Sequence, residues 1–442
     1  MKPESSNLIR FCSVTTAWLI LALGQSGAGK AQAADISGAW KYSIESLGDV
    51  NHTLMFLTNN GGNLSGTLSD LILVGSVSNS QISISVKRPN GSDFGSFAGR
   101  LENDRLKGQG KRGNGDKFNW EASRALPRPA SPQVHVFNPT NFHRLFSETI
   151  EPAIHIFPGD TVRTWTVDSG GIDKDGVRRC PGGNPQTGPF YIEEAMPRDT
   201  LVVKFTKIRL NRSSANSGTS ITVRAMTPEF LQKTKYDDSV DGAWFLDLTN
   251  EFGRLKNPPV HLKDYRVPLR PFLGCIGVAP ARHEAFRTGH LGPYGGNLDY
   301  NQLREGTTMY LPVSVPGALL FIGDGHAAQG DGELTGDALE TSMDVEFTVD
   351  LIRGQQRVLP LAENDEYLMA CGIGSSLHEA LQIATSELAW WLERDYKLEP
   401  NESALILGTA MEYNVAEVVD PEFHLVAKVR KSVLTMPRNQ SR

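Results

Sequence analysis

The stretch Gly317-Ala-Leu-Leu-Phe-Ile322, followed at once by Gly323-Asp-Gly-His-Ala-Ala-Gln-Gly-Asp-Gly-Glu333, sets the reading of this chain. A short apolar run that ends in turn formers has the length of a strand, not of a helix. The residues after it hold four glycines together with Asp324, His326, Gln329, Asp331 and Glu333. In extended chain, side chains two apart leave the same face. Asp324 and His326 can therefore offer a carboxylate and an imidazole to one metal ion. Asp331 and Glu333 repeat that spacing. The glycines let the backbone bend sharply and leave room for a small ligand. Asp-Gly turns are also common at solvated surfaces, so an acidic turn stands beside the functional reading. An EF-hand loop is excluded, because counting from Asp324 its first, third and fifth positions are Asp, His and Ala.

Working outward, strand signals are dense from His135 to about Leu434: Ala153–Phe157, Thr161–Val167, Thr200–Leu210, Thr308–Val315, Ala318–Phe321 and Asp344–Arg353. Helical periodicity is clear only at Leu377–Tyr396, where apolar residues recur at 377, 381, 384, 388, 391 and 392. This predicts a β-rich α+β domain with C-terminal helices. A second polar cluster lies upstream. His143 precedes the Pro152–Asp160 turn, and Asp168 ends a strand before Ser169-Gly170-Gly171. Asp168 at such a place reads as a ligand or as a turn former, and His143 alone as a ligand or as a structural residue.

Residues 34–125 read as a small all-β module, a barrel or sandwich. Short alternating runs such as Thr53–Leu57, Ile82–Val86 and Phe118–Ala122 sit between turns such as Asn59-Asn60-Gly61-Gly62. The module reads as an accessory domain, with ligand or surface binding as the alternative. Residues 126–134 form a Pro-rich linker, and 135–442 form the large domain. Residues 1–33 are read as a secretory signal peptide, with Lys2 and Arg10, the apolar Phe11–Leu23 and an Ala31-Gln32-Ala33 cleavage site. That makes the protein exported, periplasmic or secreted, with no membrane span after cleavage. Three basic residues and one acidic one leave with the signal, which takes the net charge from −6 to −8. The balance gives no basic footprint for nucleic acid. The P-loop-like Gly24–Lys30 lacks the Ser/Thr that would hold magnesium and leaves with the signal. Cys180, Cys275 and Cys371 remain, an odd number with no C-x-x-C spacing. Cys275 sits in the apolar Leu-Gly-Cys-Ile-Gly run, the setting of an inert core thiol rather than a nucleophile.

Several pieces match a known family in order along the chain. They are His143 with the Pro152–Asp160 turn, Thr166-Val-Asp168, Gly188-Pro-Phe-Tyr191-Ile-Glu193 with Pro197-Arg-Asp-Thr200, and Pro271–Pro280. Gly292-Pro-Tyr-Gly-Gly-Asn-Leu-Asp299, Leu311–Ala318, the Gly323–Glu333 string, Ala338-Leu-Glu340 and Gly372-Ile-Gly374 follow. Over roughly 300 residues the chain resembles the acetamidase/formamidase family of metal-dependent amide hydrolases. Two positions depart from it. Tyr294 stands where the family usually has His, and Arg198 where Gly is usual.

The resemblance implies hydrolysis of a small primary amide to carboxylate and ammonia, a divalent metal (zinc first, calcium as the alternative) and a homo-oligomer. His143, Asp168, Asp324 and His326 form the pool of metal ligands. Glu333, with Asp331 beside it, is the catalytic base. Gln329 and Asn297 are assigned to orienting the amide, with Tyr294 and Glu340 on the substrate side. The other reading is an exported, non-catalytic binding protein that kept the fold.

Overall fold

The computed structural model describes residues 35–46 and 48–438. The expected signal peptide lies outside them. Eight antiparallel strands, from Gly38–Ser46 to Lys117–Arg124, close into a barrel because the first pairs with both the second and the eighth. Along Gln81–Lys87 buried and exposed residues alternate, as a strand with one dry face requires. The inward residues fill the barrel. Tyr42, Phe97 and Trp120 pack as an aromatic trio with ring centroids 4.9–5.6 Å apart. The all-β module is thus a closed barrel rather than a sandwich.

Beyond the Pro-rich segment the described residues build a two-stranded sheet, Leu145–Phe146 with Phe286–Arg287, and two large ones. One has nine strands, with Thr200–Leu210 and Met343–Ile352 at its centre and Met411–Glu417 at one edge. The other carries Leu320–His326 in its interior, paired with Phe272–Gly277, with Glu340–Thr341 and with Gln186–Ile192. Side chains from both sheets form one core that includes Phe190, Phe205, Phe321 and Phe347. The β-rich α+β expectation holds.

The predicted helix Leu377–Tyr396 is present with those bounds. Ser376 caps it by accepting from the Glu379 amide, and left-handed Lys397 ends it. Trp391, Leu388 and Ala384 bury its inner face against the strands Tyr367–Gly374 and Phe423–Arg430. The approach is close enough to demand glycine at 372. A Cβ there would lie 1.9 Å from the Ala380 carbonyl oxygen and 2.7 Å from the Ala384 Cβ. The expected strand Ala318–Phe321 differs most. It begins at Leu320 and runs on through Gly323-Asp-Gly-His326, all of it buried. Neighbouring strands flank those residues and supply the hydrogen bonds that override their turn-forming preference.

Two outcomes follow. Gly372→Ala should destabilise the protein by about 1–3 kcal/mol, through overpacking at the helix–sheet contact, read as a lowered melting temperature. His424 is fully buried and its Nδ1 donates to the Leu298 carbonyl at 2.6 Å. Burial holds its imidazole down from 6.5 to about 4. A depressed histidine gives stability that is complete above the unfolded value and is lost as pH falls toward the folded one. The stability advantage of the wild type over His424→Asn should therefore shrink between pH 6.5 and 4, by at most about 3 kcal/mol, read as converging melting temperatures.

Candidate metal and active centre

The strand Leu320–His326 delivers Asp324 and His326 to one buried centre. Asp324 takes a left-handed backbone (φ 59°) opposite Gly274, which breaks the regular pairing between Gly323 and Gly325. Gly274 makes room. A Cβ at that position would lie 2.3 Å from Asp299 Oδ1, 2.7 Å from His326 Cε1 and 3.0 Å from Asp324 Oδ2. Two sets of ligand atoms meet here, each within 4.8 Å: Asp324, His326 and Glu340, and Asp299, His326 and Glu333. All are buried.

The imidazole is fixed by its neighbours. Gln329 Nε2 donates to the carbonyls of Asp299 (2.6 Å) and Ala416 (3.3 Å), which turns its Oε1 toward the ring. His326 Nδ1 donates to that oxygen at 2.9 Å. The neutral ring then keeps its lone pair on Nε2. Nε2 lies 3.0 Å from Glu340 Oε1 and 3.4 Å from Asp324 Oδ1. Yet neither oxygen is aligned to bond it. Asp324 Oδ1, Asp299 Oδ1, Glu340 Oε2 and His326 Nε2 are all buried without a hydrogen-bond partner.

Converging bare acceptors in a dry site are costly unless a cation joins them. The titration behaviour says the same. Burial pushes Asp299, Glu333 and Glu340 up, and neighbouring carboxylates reinforce it. Burial alone would push His326 down, but Glu340 and Asp324 outweigh it and hold the ring well above its ordinary value. Four carboxylates surround one imidazole, a surplus of negative charge that a divalent ion would neutralise. One imidazole with two carboxylates is also a donor set that fits such an ion.

The remaining sequence-derived residues take other places. Asp168 belongs to neither set. Arg212 Nη2 donates to its Oδ2 at 2.5 Å and the Ile172 amide to its Oδ1 at 2.8 Å, so both oxygens are engaged. His143 pairs through its backbone with Gln186 and meets Phe321 edge-on, and it too lies outside both sets. Glu340, assigned to the substrate side, stands among the ligand atoms instead. Gln329 and Asn297 hold the centre rather than offering a free amide. Asn297 Nδ2 donates to Asp299 Oδ2 (2.5 Å) and Asp420 Oδ2 (2.7 Å). Tyr294 stacks on Phe286 in the core. Asp331 lines the cleft beside Glu333, its carboxylate receiving the amides of Asn301 (2.9 Å) and Asn414 (3.1 Å).

Residues not singled out from sequence complete the site. Asp299 joins one ligand set, and its spacing from Asn297 repeats the i, i+2 signal of Asp324 and His326. Asn184 Nδ2 donates to Asp324 Oδ2 at 3.0 Å. Asp420 is raised to about 7, first by burial and then by the charges of Asp324 and Glu422, against the Asn297 hydrogen bond. Glu417, whose Oε2 accepts from the Val419 and Asp420 amides, is raised to about 8 by burial and Asp420.

Fold and site together define a β-rich domain built around a buried carboxylate–imidazole centre able to hold a divalent ion. A model of the Acetamidase/Formamidase family matches residues 281–373. An acetamidase of Yersinia enterocolitica has the same fold, with a TM-score of 0.59 and 27% identity over 71% of this chain and 96% of its own. An acetamidase of Bacillus halodurans gives 0.57 and 26% over 68% and 98%. The large domain has the fold of these acetamidases, and its residues 281–373 are similar to the family's model. An acetamidase of Mycolicibacterium smegmatis is 36% identical over 75 residues, 17% of this chain and 18% of its own. The matched stretches span 10–18% of the length of the curated relatives.

Gly274→Ala should strip the centre of its capacity for metal. The divalent ion retained by the purified protein after dialysis, measured by elemental analysis, should fall well below the wild-type level.

Proposed function

We propose that the protein is a metal-dependent amidase that hydrolyses a primary amide to a carboxylate and ammonia. The observation that carries this reading is the set of bare, buried ligand atoms on Asp324, His326 and Glu340. It lies beside Glu333 and Gln329, which line a cleft of about 720 Å³. The family match and the acetamidase-like fold support the same chemistry.

The tautomer set by Gln329 presents His326 Nε2, so Asp324, His326 and Glu340 would hold the ion. When bound, it would supply Lewis acidity, bringing the pKa of water toward about 7 and polarising the amide carbonyl. Glu333 then takes the proton of the attacking water at its carboxylate and returns it to the amide nitrogen, which must leave as ammonia. Its left-handed backbone (φ 48°) turns the side chain back toward the centre from a cleft-lining loop. Asn297, Asn184 and Gln329 keep the carboxylates and the ring in place through hydrogen bonds to Asp299, Asp324 and His326. Zinc as the ion, a homo-oligomeric state and export directed by residues 1–33 complete the proposal.

Ammonia release from formamide, acetamide and larger primary amides tests it. Turnover should vanish with a chelator and return with zinc. Glu333→Gln should keep its metal and lose about 100-fold or more in kcat. Full activity in that variant would remove Glu333 from the proton transfer. No turnover of any amide by metal-loaded protein would favour the binding-protein reading.

A further inference from the structure

The cleft is far larger than the smallest amides require. Its volume of about 720 Å³ falls in the range of roughly 300–1,000 Å³ that encloses drug-sized ligands. Formamide or acetamide, a few non-hydrogen atoms each, would leave most of it to water. The walls carry features that such small molecules cannot use. Trp244 and Tyr265 stand edge to face, with centroids 6.2 Å apart, and form an apolar wall. Trp244 is largely buried and its indole NH donates to Ser217 Oγ at 2.9 Å, so it backs the wall while the exposed Tyr265 offers the contact surface.

Arg270 and Arg304 also line the cleft. Arg270 stands two residues before Phe272 and Arg304 is bridged to Phe272 through the backbone; the Phe272 ring packs edge-on against His326 at 4.9 Å. Arg304 Nε donates to the Asn301 carbonyl at 2.6 Å. Among the described residues neither guanidinium forms an ion pair, although the chain carries many others. Three acidic groups share the cleft, and among the described residues none is ion-paired with these arginines; Asp337 lies within reach of the charges of Glu340 and His326. Asp331 is held by the amides of Asn301 and Asn414, and Glu333 faces the centre. Burial of Arg304 disfavours its charged form and the neighbouring charge of Arg270 adds to that. Two guanidinium groups that line one cleft and have no ion-pair partner among the described residues can receive an anionic group, because a carboxylate bonded by arginine gains from charge and fork geometry together.

We infer that the amide handled by this centre carries a carboxylate at the far end of an apolar or aromatic body, the body against Trp244 and Tyr265 and the carboxylate on Arg270 and Arg304. The inference rests on the amidase reading but is tested apart from it. With zinc-loaded full-length protein, kcat/KM for terephthalamate should exceed that for benzamide by roughly 10–100-fold, the value of one or two charge-assisted bonds. The preference should shrink as salt is raised. In Arg270→Gln the ratio should fall toward one, mainly through KM for the anionic substrate, and Arg270→Lys should recover part of it. Arg270 is exposed, so these variants keep the fold, and their melting temperatures check this. Calorimetric titration with terephthalate reads the anion site without turnover. Benzamide hydrolysed as well as terephthalamate would overturn the inference while the amidase reading stands. Terephthalate binding that is lost in Arg270→Gln, with no amide hydrolysed, would keep the anion site and overturn the amidase reading. Neither binding nor turnover would overturn both.

Discussion

The constraint on which this structure turns is the burial of four carboxylates around the single imidazole of His326. A protein interior tolerates an ionised carboxylate only when it is paired or hydrogen-bonded, and here the bare oxygens point inward at one another. Without a cation the site answers by holding protons, which is why Asp299, Glu333 and Glu340 are all pushed up. With a divalent ion the same groups become ligands. Such a cluster costs stability in the empty protein, so the surrounding framework has to hold it against its own repulsion.

That framework is the interior of a sheet rather than a mobile loop. Leu320–His326 is bordered by strands and every residue of it is buried. Glycine at 274 lets the carboxylates approach. Glycine at 323 lies against the Gln186 side chain, where a Cβ would fall 2.7 Å from Oε1. Amide side chains then tie the acids together without adding charge: Asn184 to Asp324, Asn297 to Asp299 and Asp420, and Gln329 to His326. Amides suit this role because they donate without neutralising, which leaves the negative charge available to an ion.

Much of this was legible in sequence, and the parts that were not have physical causes. The helix Leu377–Tyr396 was readable because its apolar period and its Ser376 cap are local signals. The barrel strands were readable from alternation and turn residues. The Gly323–Glu333 string pointed to Asp324 and His326, and one strand does bring both into the buried carboxylate–imidazole cluster. The failures are nonlocal. Asp168 looked like a ligand at a strand end, but the residue that claims it, Arg212, is far away in sequence. Gln329 and Asn297 looked free to meet a substrate, yet the backbone of Ala416 and the carboxylate of Asp420 use their donors. Gly323-Asp-Gly-His326, read as a strand end with an acidic turn as the rival, is strand throughout, since pairing on its flanks outweighs local preference.

The chemistry and its selectivity come from different parts of the chain. Asp324, His326 and Glu340 sit on sheet-interior strands whose geometry cannot vary without disturbing the core, while Asp299 and Glu333 reach the cluster from connecting segments. The cleft walls, by contrast, come from the strand Ala243–Asp247, third from one edge of its sheet, and from connecting segments that carry Tyr265, Arg270 and Arg304. Tyr265 and Arg270 are exposed, and changes there alter the shape and charge offered to a ligand without moving a buried carboxylate. A fold arranged in this way can keep one bond-breaking centre while exchanging the body of the amide it accepts. If the centre acts on an amide, the arginines of the wall would say more about the body of the substrate than the centre does, because the centre would meet only the amide group.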